Sequence, residues 1–383
     1  MIPRRNFNRF IGKAFSQPGY AFSVAAKRAQ AQYFYLFGKG KSCSPESITF
    51  FLTHRCNLRC KMCGQWGEGG ITKKRSSEHI HEELSLQQLK DIVDDISGFK
   101  PSITLFGGEP LLFPGASELI RHIKHKGLHC LVITNGFLLE EMAEDIVKSG
   151  LDELNVSLDA GGRLHDEIRG MPGLFLKIIN GIKKVQDLKS SAHQLKPLIN
   201  LQCTITKYNY QQLEQMLDVA KDVRADSLTY HNLIFIEQEA IDRQKEFDET
   251  LGCSSADWQG FLIDPGIDVV ALHKKIEQIK SGKYPFSVDF YPNFSSLELG
   301  RYYSDPSYCP REDSRCLSPW LVGYVFPDAE VRPCLNCNYS FGNAKNVQFL
   351  KLWNGEQAVK YRKLLKENGA FPVCSRCTEL YRY

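Results

Sequence analysis

The sequence predicts an α/β protein in two parts, a parallel sheet of strand–helix units followed by a small cysteine-rich domain. Three observations carry this. Between residues 48 and 233, short apolar runs alternate with helically spaced segments. Most of these runs stop at a glycine pair or a polar residue, as strands do when they feed a functional turn. Nine of the 13 cysteines fall in close groups, and six of those nine follow residue 308. The length of 383 residues, with 43% hydrophobic and 24% charged residues, excludes wholesale disorder and a fibrous repeat. No apolar run reaches the roughly 18 residues of a membrane-spanning helix.

The elements follow in order. Residues 48–53 read as a strand that runs directly into Cys56. A helix is predicted over 84–96, then a strand over 102–106 that ends at Gly107 and Gly108. Next come a helix over 116–126, a strand over 129–134 ending at Asn135, and a helix over 139–149. A strand over 153–158 ends at Asp159; helix 174–188, strand 198–206, helix 211–223 and strand 227–233 complete six units. These strands read as nearly continuous apolar runs, as expected of parallel strands buried on both faces. Regularity then falls. Residues 236–308 form a connecting region with a helix at 269–279 and a strand at 286–290, and 309–383 a cysteine-rich domain with a helix near 356–366.

Charge is unevenly placed. The net charge is +4, too small to imply nucleic acid. Yet residues 1–45 hold eight basic residues (Arg4, Arg5, Arg9, Lys13, Lys27, Arg28, Lys39, Lys41) and no acidic one. Arg4-Arg5 faintly resembles a twin-arginine export signal, but Pro18-Gly19 interrupts the stretch behind it, so export is not expected and a cytoplasmic location is. Segment 1–46 has two readings: a helix docked on the body, or a basic amphipathic segment making a peripheral membrane contact.

An odd cysteine count in a chain of this size is not a disulfide framework; grouped thiols point to metal. Cys56, Cys60 and Cys63 give C-x3-C-x2-C directly after the first strand. Three thiolates can hold three irons of a 4Fe–4S cluster and leave the fourth open. A zinc site would need a fourth ligand, and His54 is poorly placed to be it.

This arrangement resembles the radical S-adenosylmethionine superfamily. The resemblance implies a partial (β/α)6 TIM-like barrel over 47–235. It further implies that the open iron chelates S-adenosylmethionine, and that one electron cleaves the cofactor to a 5′-deoxyadenosyl radical that abstracts a substrate hydrogen. Gly107, Gly108 and Glu109 match the family's glycine-rich turn toward the cofactor's amino group. Ser157 and Asp159 would meet its ribose or carboxylate, Arg169 would pair with the carboxylate, and Asn135 lies on the same rim. Met62 stands where an aromatic residue is common; its main chain would face the adenine. The electron would come from a flavodoxin or ferredoxin.

The frame Cys316-x17-Cys334 with Cys374-x2-Cys377 resembles the SPASM/twitch extension of the same enzymes. It implies one auxiliary 4Fe–4S cluster on Cys316, Cys334, Cys374 and Cys377. The competing reading is a zinc ribbon on Cys334, Cys337, Cys374 and Cys377. Tyr230 and His231, near the end of the sixth strand, are candidate catalytic side chains facing substrate. The charged stretch 72–83 is either a solvated loop or a lid. The expected activity is oxidation, cross-linking or rearrangement of a peptide, protein or small molecule. The alternatives are modification of a lipid or phosphorylated metabolite at a membrane surface, and a non-catalytic iron–sulfur electron carrier.

Overall fold

The computed structural model describes residues 18–308 and 315–383. Arg4, Arg5, Arg9, Lys13 and Cys309 lie outside the described residues.

The expected units form the heart of a ten-stranded sheet with order β10-β9-β8-β1-β2-β3-β4-β5-β6-β7. Its first six strands in the chain are β1 (Ser47–Phe51), β2 (Ser102–Phe106), β3 (Cys130–Thr134), β4 (Glu153–Ser157), β5 (Leu198–Ile205) and β6 (Ser227–Asn232). All neighbours among them pair in parallel, for example Ser47 with Ser102, Asn155 with Asn200 and Gln202 with Thr229. The sheet does not close: β7 and β10 are its edges. This is the partial-barrel α/β architecture.

Helices join the strands with the spacing that buries one face. After β1, helix α2 (Leu86–Ile96) starts at a capping box between Ser85 and Gln88 and buries Leu89, Ile92, Val93 and Ile96. Helices α3 (Ala116–His125), α4 (Leu139–Lys148), α5 (Gly162–Arg169), α6 (Leu174–Ser191) and α7 (Gln215–Asp222) follow in turn. Ahead of the sheet, α1 (Pro18–Phe37) opens with its proline in the first turn, where a missing N–H costs nothing. It is docked: Lys27 Nζ donates to Pro45 O and Phe99 O at 2.9 and 2.8 Å, and Arg28 pairs with Glu46 at 2.9 Å.

Two features extend the sequence reading. The sheet continues past the six units on both sides. Beyond helices α8 (Gln238–Leu251) and α9 (Val269–Lys280), β7 (Ser287–Tyr291) adds in parallel to β6. After α10 (Ser296–Ser304), β8 (Val322–Val325) pairs in parallel with β1, and β9 (Glu330–Arg332) and β10 (Gly342–Asn343) follow antiparallel. The cysteine-rich part, whose longest helix is α11 (Glu356–Asn368), is therefore hydrogen-bonded to the first barrel strand.

The second is a correction. β5 is not buried on both faces but alternates, with Ile199, Leu201, Cys203 and Ile205 buried and Asn200, Gln202 and Thr204 partly open. An open barrel explains this: one face packs against helices, and the other lines a lumen that side chains do not fill.

Candidate active site and cysteine-lined cavity

Beyond β1 the chain enters a loop that carries Cys56, Cys60 and Cys63. It is fixed by its own backbone and by the strand ends around it. Cys63 N–H donates to Cys60 O at 3.1 Å, Trp66 N–H points to Cys63 Sγ at 3.4 Å, and Trp66 Nε1 donates to His54 O at 2.8 Å. Lys61 N–H reaches Ile168 O at 2.9 Å, which ties the loop to the end of α5.

The glycine turn after β2 lies directly on this loop. Gly108 N–H donates to Thr53 O and Glu109 N–H to Arg55 O, both at 2.8 Å. Gly107 has φ +155°, and a Cβ there would stand 2.6 Å from Thr53 O. A Cβ at Gly108 would collide with Arg55 O. The glycines thus let two backbones meet, which sets the height of the three thiols.

Several expected cofactor contacts are engaged with the protein itself. Glu109 is buried; its Oε1 accepts from Thr134 Oγ1 at 2.7 Å and Leu111 N–H at 3.1 Å, and its Oε2 from Asn135 N–H at 2.7 Å. It braces the β2 turn against the end of β3. Accepting from a cofactor ammonium, as the sequence implied, would have to share that carboxylate. Burial pushes it up to about 7, against three hydrogen bonds and Arg169 that pull it down.

Asp159 is likewise committed. Its Oδ2 accepts from Arg169 Nε at 2.5 Å and its Oδ1 from Thr204 N–H at 2.9 Å. Arg169 Nη1 points at Cys60 Sγ, 3.8 Å away. The pair joins the end of α5 to β5 and lays a guanidinium beside the thiols. Asn135 Nδ2 donates to Asn57 Oδ1 at 2.8 Å and stands 4.0 Å from Cys56 Sγ. Met62 is half-buried against the core, and Ser157 sits opposite Gln202 in the register.

The donor set suits iron. Burial pushes the Cys56 thiol up to about 12 and Cys60 to about 11, so both need a cation to become thiolates. Three thiols on one loop, with a guanidinium alongside, fit a cluster that leaves one iron for another ligand.

Tyr230 and His231 part company. Tyr230 is fully buried, its hydroxyl donates to Leu213 O at 2.7 Å and its ring stacks on Phe290 at 4.8 Å. It belongs to the helix-covered face of β6, and the expectation that it faces substrate is corrected. His231 points to the other face, with Nε2 2.6 Å from Gln202 Oε1. There it joins a polar row that the sequence reading missed. Asn200 Nδ2 donates to Asn155 Oδ1 at 3.0 Å and Glu153 Oε2 at 3.1 Å, and Ser227 Oγ to Asn200 Oδ1 at 2.7 Å. The signal was the period-two alternation at 155, 157, 200, 202 and 204, hidden by the apolar residues between.

A second thiol centre lies in the C-terminal part. Cys316, Cys334, Cys374 and Cys377 line one cavity, and so does Cys337. Apolar Trp258, Tyr361 and Phe371 wall it. Among the described residues no three Cys, His, Asp or Glu side chains close round a point as they would about one metal ion. Five thiols round a larger hollow are a donor set fit for a polynuclear cluster. Cys253, which stands alone in the sequence, comes within 3.8 Å of Cys337, sulfur to sulfur. Its loop is clamped there, Ser254 N–H to Asn338 Oδ1 at 2.7 Å and Asn338 N–H to Ser254 O at 3.1 Å.

Comparison with known proteins agrees with this geometry. The family model of the Radical SAM superfamily matches residues 50–220, and that of the SPASM iron–sulfur cluster-binding domain matches 316–378. The chain belongs to the Radical SAM superfamily and carries a C-terminal SPASM domain. Its cofactors are thus a catalytic 4Fe–4S cluster, S-adenosylmethionine and auxiliary iron–sulfur chemistry.

Among its relatives, the AdoMet-dependent heme synthase of Methanosarcina barkeri is 26% identical, over 87% of this chain and 88% of that one. A probable GTP 3′,8-cyclase of Sulfurisphaera tokodaii is 29% identical, over 70% of this chain and 76% of that one. Streptococcus suis SuiB bound to S-adenosylmethionine shares the fold, with a TM-score of 0.62 at 14% identity, over 88% of this chain and 71% of that one. Among the described residues, no helix is long and apolar enough to cross a membrane.

Proposed function

We propose that this enzyme abstracts a hydrogen atom from a peptide, protein or small molecule seated over the polar face of the barrel, and that oxidation, cross-linking or rearrangement follows. The observations that carry the reading are three thiols of a single loop at the C-terminal end of β1, with Arg169 Nη1 3.8 Å from Cys60 Sγ, and a sheet whose open face carries Asn155, Asn200, Gln202 and His231. Cys56, Cys60 and Cys63 hold the cluster, which with S-adenosylmethionine supplies a 5′-deoxyadenosyl radical. Glu109 and the Asp159–Arg169 pair keep the surrounding strand ends fixed. Gly107, Gly108, Asn135, Ser157 and Met62 line the approach to the cofactor. The amides of the polar row orient substrate through neutral hydrogen bonds. Cys316, Cys334, Cys374 and Cys377 would hold the auxiliary cluster, whose chemistry there would be electron transfer. A flavodoxin or ferredoxin reduces the enzyme in the cytoplasm.

Relatives support both substrate classes: a heme synthase and a probable GTP cyclase by sequence, and SuiB, solved with its precursor peptide SuiA, by fold. A second reading, action on a lipid or phosphorylated metabolite at a membrane surface, is favoured by the exposed, uncharged outer face of α1.

The test is anaerobic. The reconstituted, reduced chain is given S-adenosylmethionine and 5′-deoxyadenosine is measured. Formation abolished by Cys56→Ala, Cys60→Ala and Cys63→Ala together supports the reading; formation by that triple variant would overturn it. With clusters intact but no formation, candidate peptides and lipids are added, and silence with all of them favours the electron-carrier alternative.

A further inference from the structure

Helix α1 presents two faces of different chemistry. The inner face carries the docking contacts: Val24, Ala31 and Tyr35 are buried, and Lys27 and Arg28 turn inward to Pro45, Phe99 and Glu46. The outer face is exposed at Phe22, Ala26, Ala29, Tyr33, Leu36 and Phe37. These positions recur at three and four residues, so they form one stripe. Phe22 is 78% exposed, Phe37 66% and Tyr33 61%. Tyr33 and Phe37 lie 5.3 Å apart, centroid to centroid, one turn along. Ser23 and Gln30 are the polar members of the stripe, and no charged side chain interrupts it. At the helical rise it runs about 22 Å.

The surroundings of the stripe are basic. Lys39 and Lys41 are exposed just beyond the helix end. Lys366 Nζ donates to Leu36 O at 2.9 Å, and the Arg315 guanidinium lies 5.2 Å from the Tyr35 ring centre. Before the helix the chain carries Arg4, Arg5, Arg9 and Lys13, and no acidic residue occurs in the first 45. A scattered exposed phenylalanine needs no explanation. An apolar stripe carrying three exposed rings, with exposed lysines just beyond its C-terminal end, does.

We propose that the outer face of α1 lies on an anionic lipid bilayer, with the aromatic stripe in the headgroup boundary and the basic residues against lipid phosphates. Aromatic rings on one face and cations beside it are the chemistry of an interfacial helix. A protein partner of acidic character would match the cations, but an acidic surface has no counterpart for the exposed rings of Phe22, Tyr33 and Phe37. The inference deepens the second reading of function, yet it concerns where the enzyme works and not its chemistry.

The test uses the full reconstituted chain and vesicles of phosphatidylcholine with about 30% phosphatidylglycerol, beside vesicles of phosphatidylcholine alone. The chain is expected to co-sediment with the anionic vesicles and to bind the neutral ones at least about tenfold more weakly. Phe22→Ser, Tyr33→Ser and Phe37→Ser together should weaken the anionic binding at least about tenfold. All three are solvent-exposed, so iron content and 5′-deoxyadenosine formation stay unchanged. A second variant, Lys39→Ala with Lys41→Ala, should weaken binding to the anionic vesicles alone. The proposal is overturned if the wild type ignores anionic vesicles, or if the triple serine variant binds them equally. It is overturned too if the wild type is a dimer that this variant makes monomeric, since the stripe then meets a second copy. Vesicle binding and cofactor cleavage are separate readouts, so failure of one leaves the other standing.

Discussion

The Asp159–Arg169 pair provides a quantitative test of how the cluster loop is held. The two side chains are 0% and 11% exposed and meet at 2.5 Å. Asp159→Asn keeps the shape and removes the charge, which leaves a buried guanidinium without its carboxylate partner. Breaking such a pair from one side costs about 3–5 kcal/mol. Replacing the charged acceptor of Thr204 N–H with a neutral one adds about 1 kcal/mol. Arg169→Met leaves the Asp159 carboxylate buried with a backbone N–H as its remaining partner, at a similar cost. The double variant buries no charge. Its cost should fall below the sum of the single costs, with an interaction energy of at least about 3 kcal/mol. Urea unfolding of the anaerobically reconstituted proteins, followed by fluorescence and by cluster absorbance, gives the four stabilities. Costs that add to within about 0.5 kcal/mol would refute the argument, because two groups that need each other cannot be independent.

Three further outcomes are expected. Glu109 has its native pKa raised to about 7 against an ordinary 4.5, so the stability it contributes is full below about pH 4.5 and lost as pH rises through 7. Glu109→Gln removes that titration; relative to it, the wild type should lose up to about 3 kcal/mol over this range in urea midpoints, and parallel curves would contradict the assignment. Iron analysis should fall from about eight to about four per chain in Cys316→Ser or Cys374→Ser, and stay near eight in Cys253→Ser, whose sulfur touches Cys337 from outside the cavity wall. Tyr230→Phe loses its bond to Leu213 O and should cost about 1 kcal/mol in stability while 5′-deoxyadenosine formation is unchanged; a large loss of activity would restore Tyr230 to the site.

What could be read from the sequence was local. The strand-then-cysteine-loop order, the glycine turn and the four-cysteine frame each occupy one short stretch, and their residue types suffice to suggest the chemistry. What could not be read depends on pairings distant in the chain. Nothing near Cys253 announces that it will meet Cys337, because the contact is made by a loop clamped to Asn338. The roles of Glu109 and Asp159 were similarly hidden. Their identity suited a ligand, but the structure had already matched their oxygens to Thr134, Asn135, Thr204 and Arg169. The lumen row was missed for another reason. Reading the strands as apolar runs buried on both faces passes over the alternation in β5, and an incomplete barrel leaves one face open.

The pairing of β8 with β1 also governs the order of assembly during synthesis. One side of β1 can be satisfied by β2 soon after both emerge, but its other side must wait for Val322–Val325, about 270 residues later. At the usual pace of translation that is roughly 15–50 s with a parallel edge uncovered, longer than a small domain takes to fold. An uncovered edge of Ile48, Phe50 and Phe51 is an invitation to pair with a neighbouring chain. The nascent chain is therefore open to edge-to-edge pairing until residues 322–325 arrive. Truncation before residue 322 should yield not a smaller soluble barrel but an aggregating one.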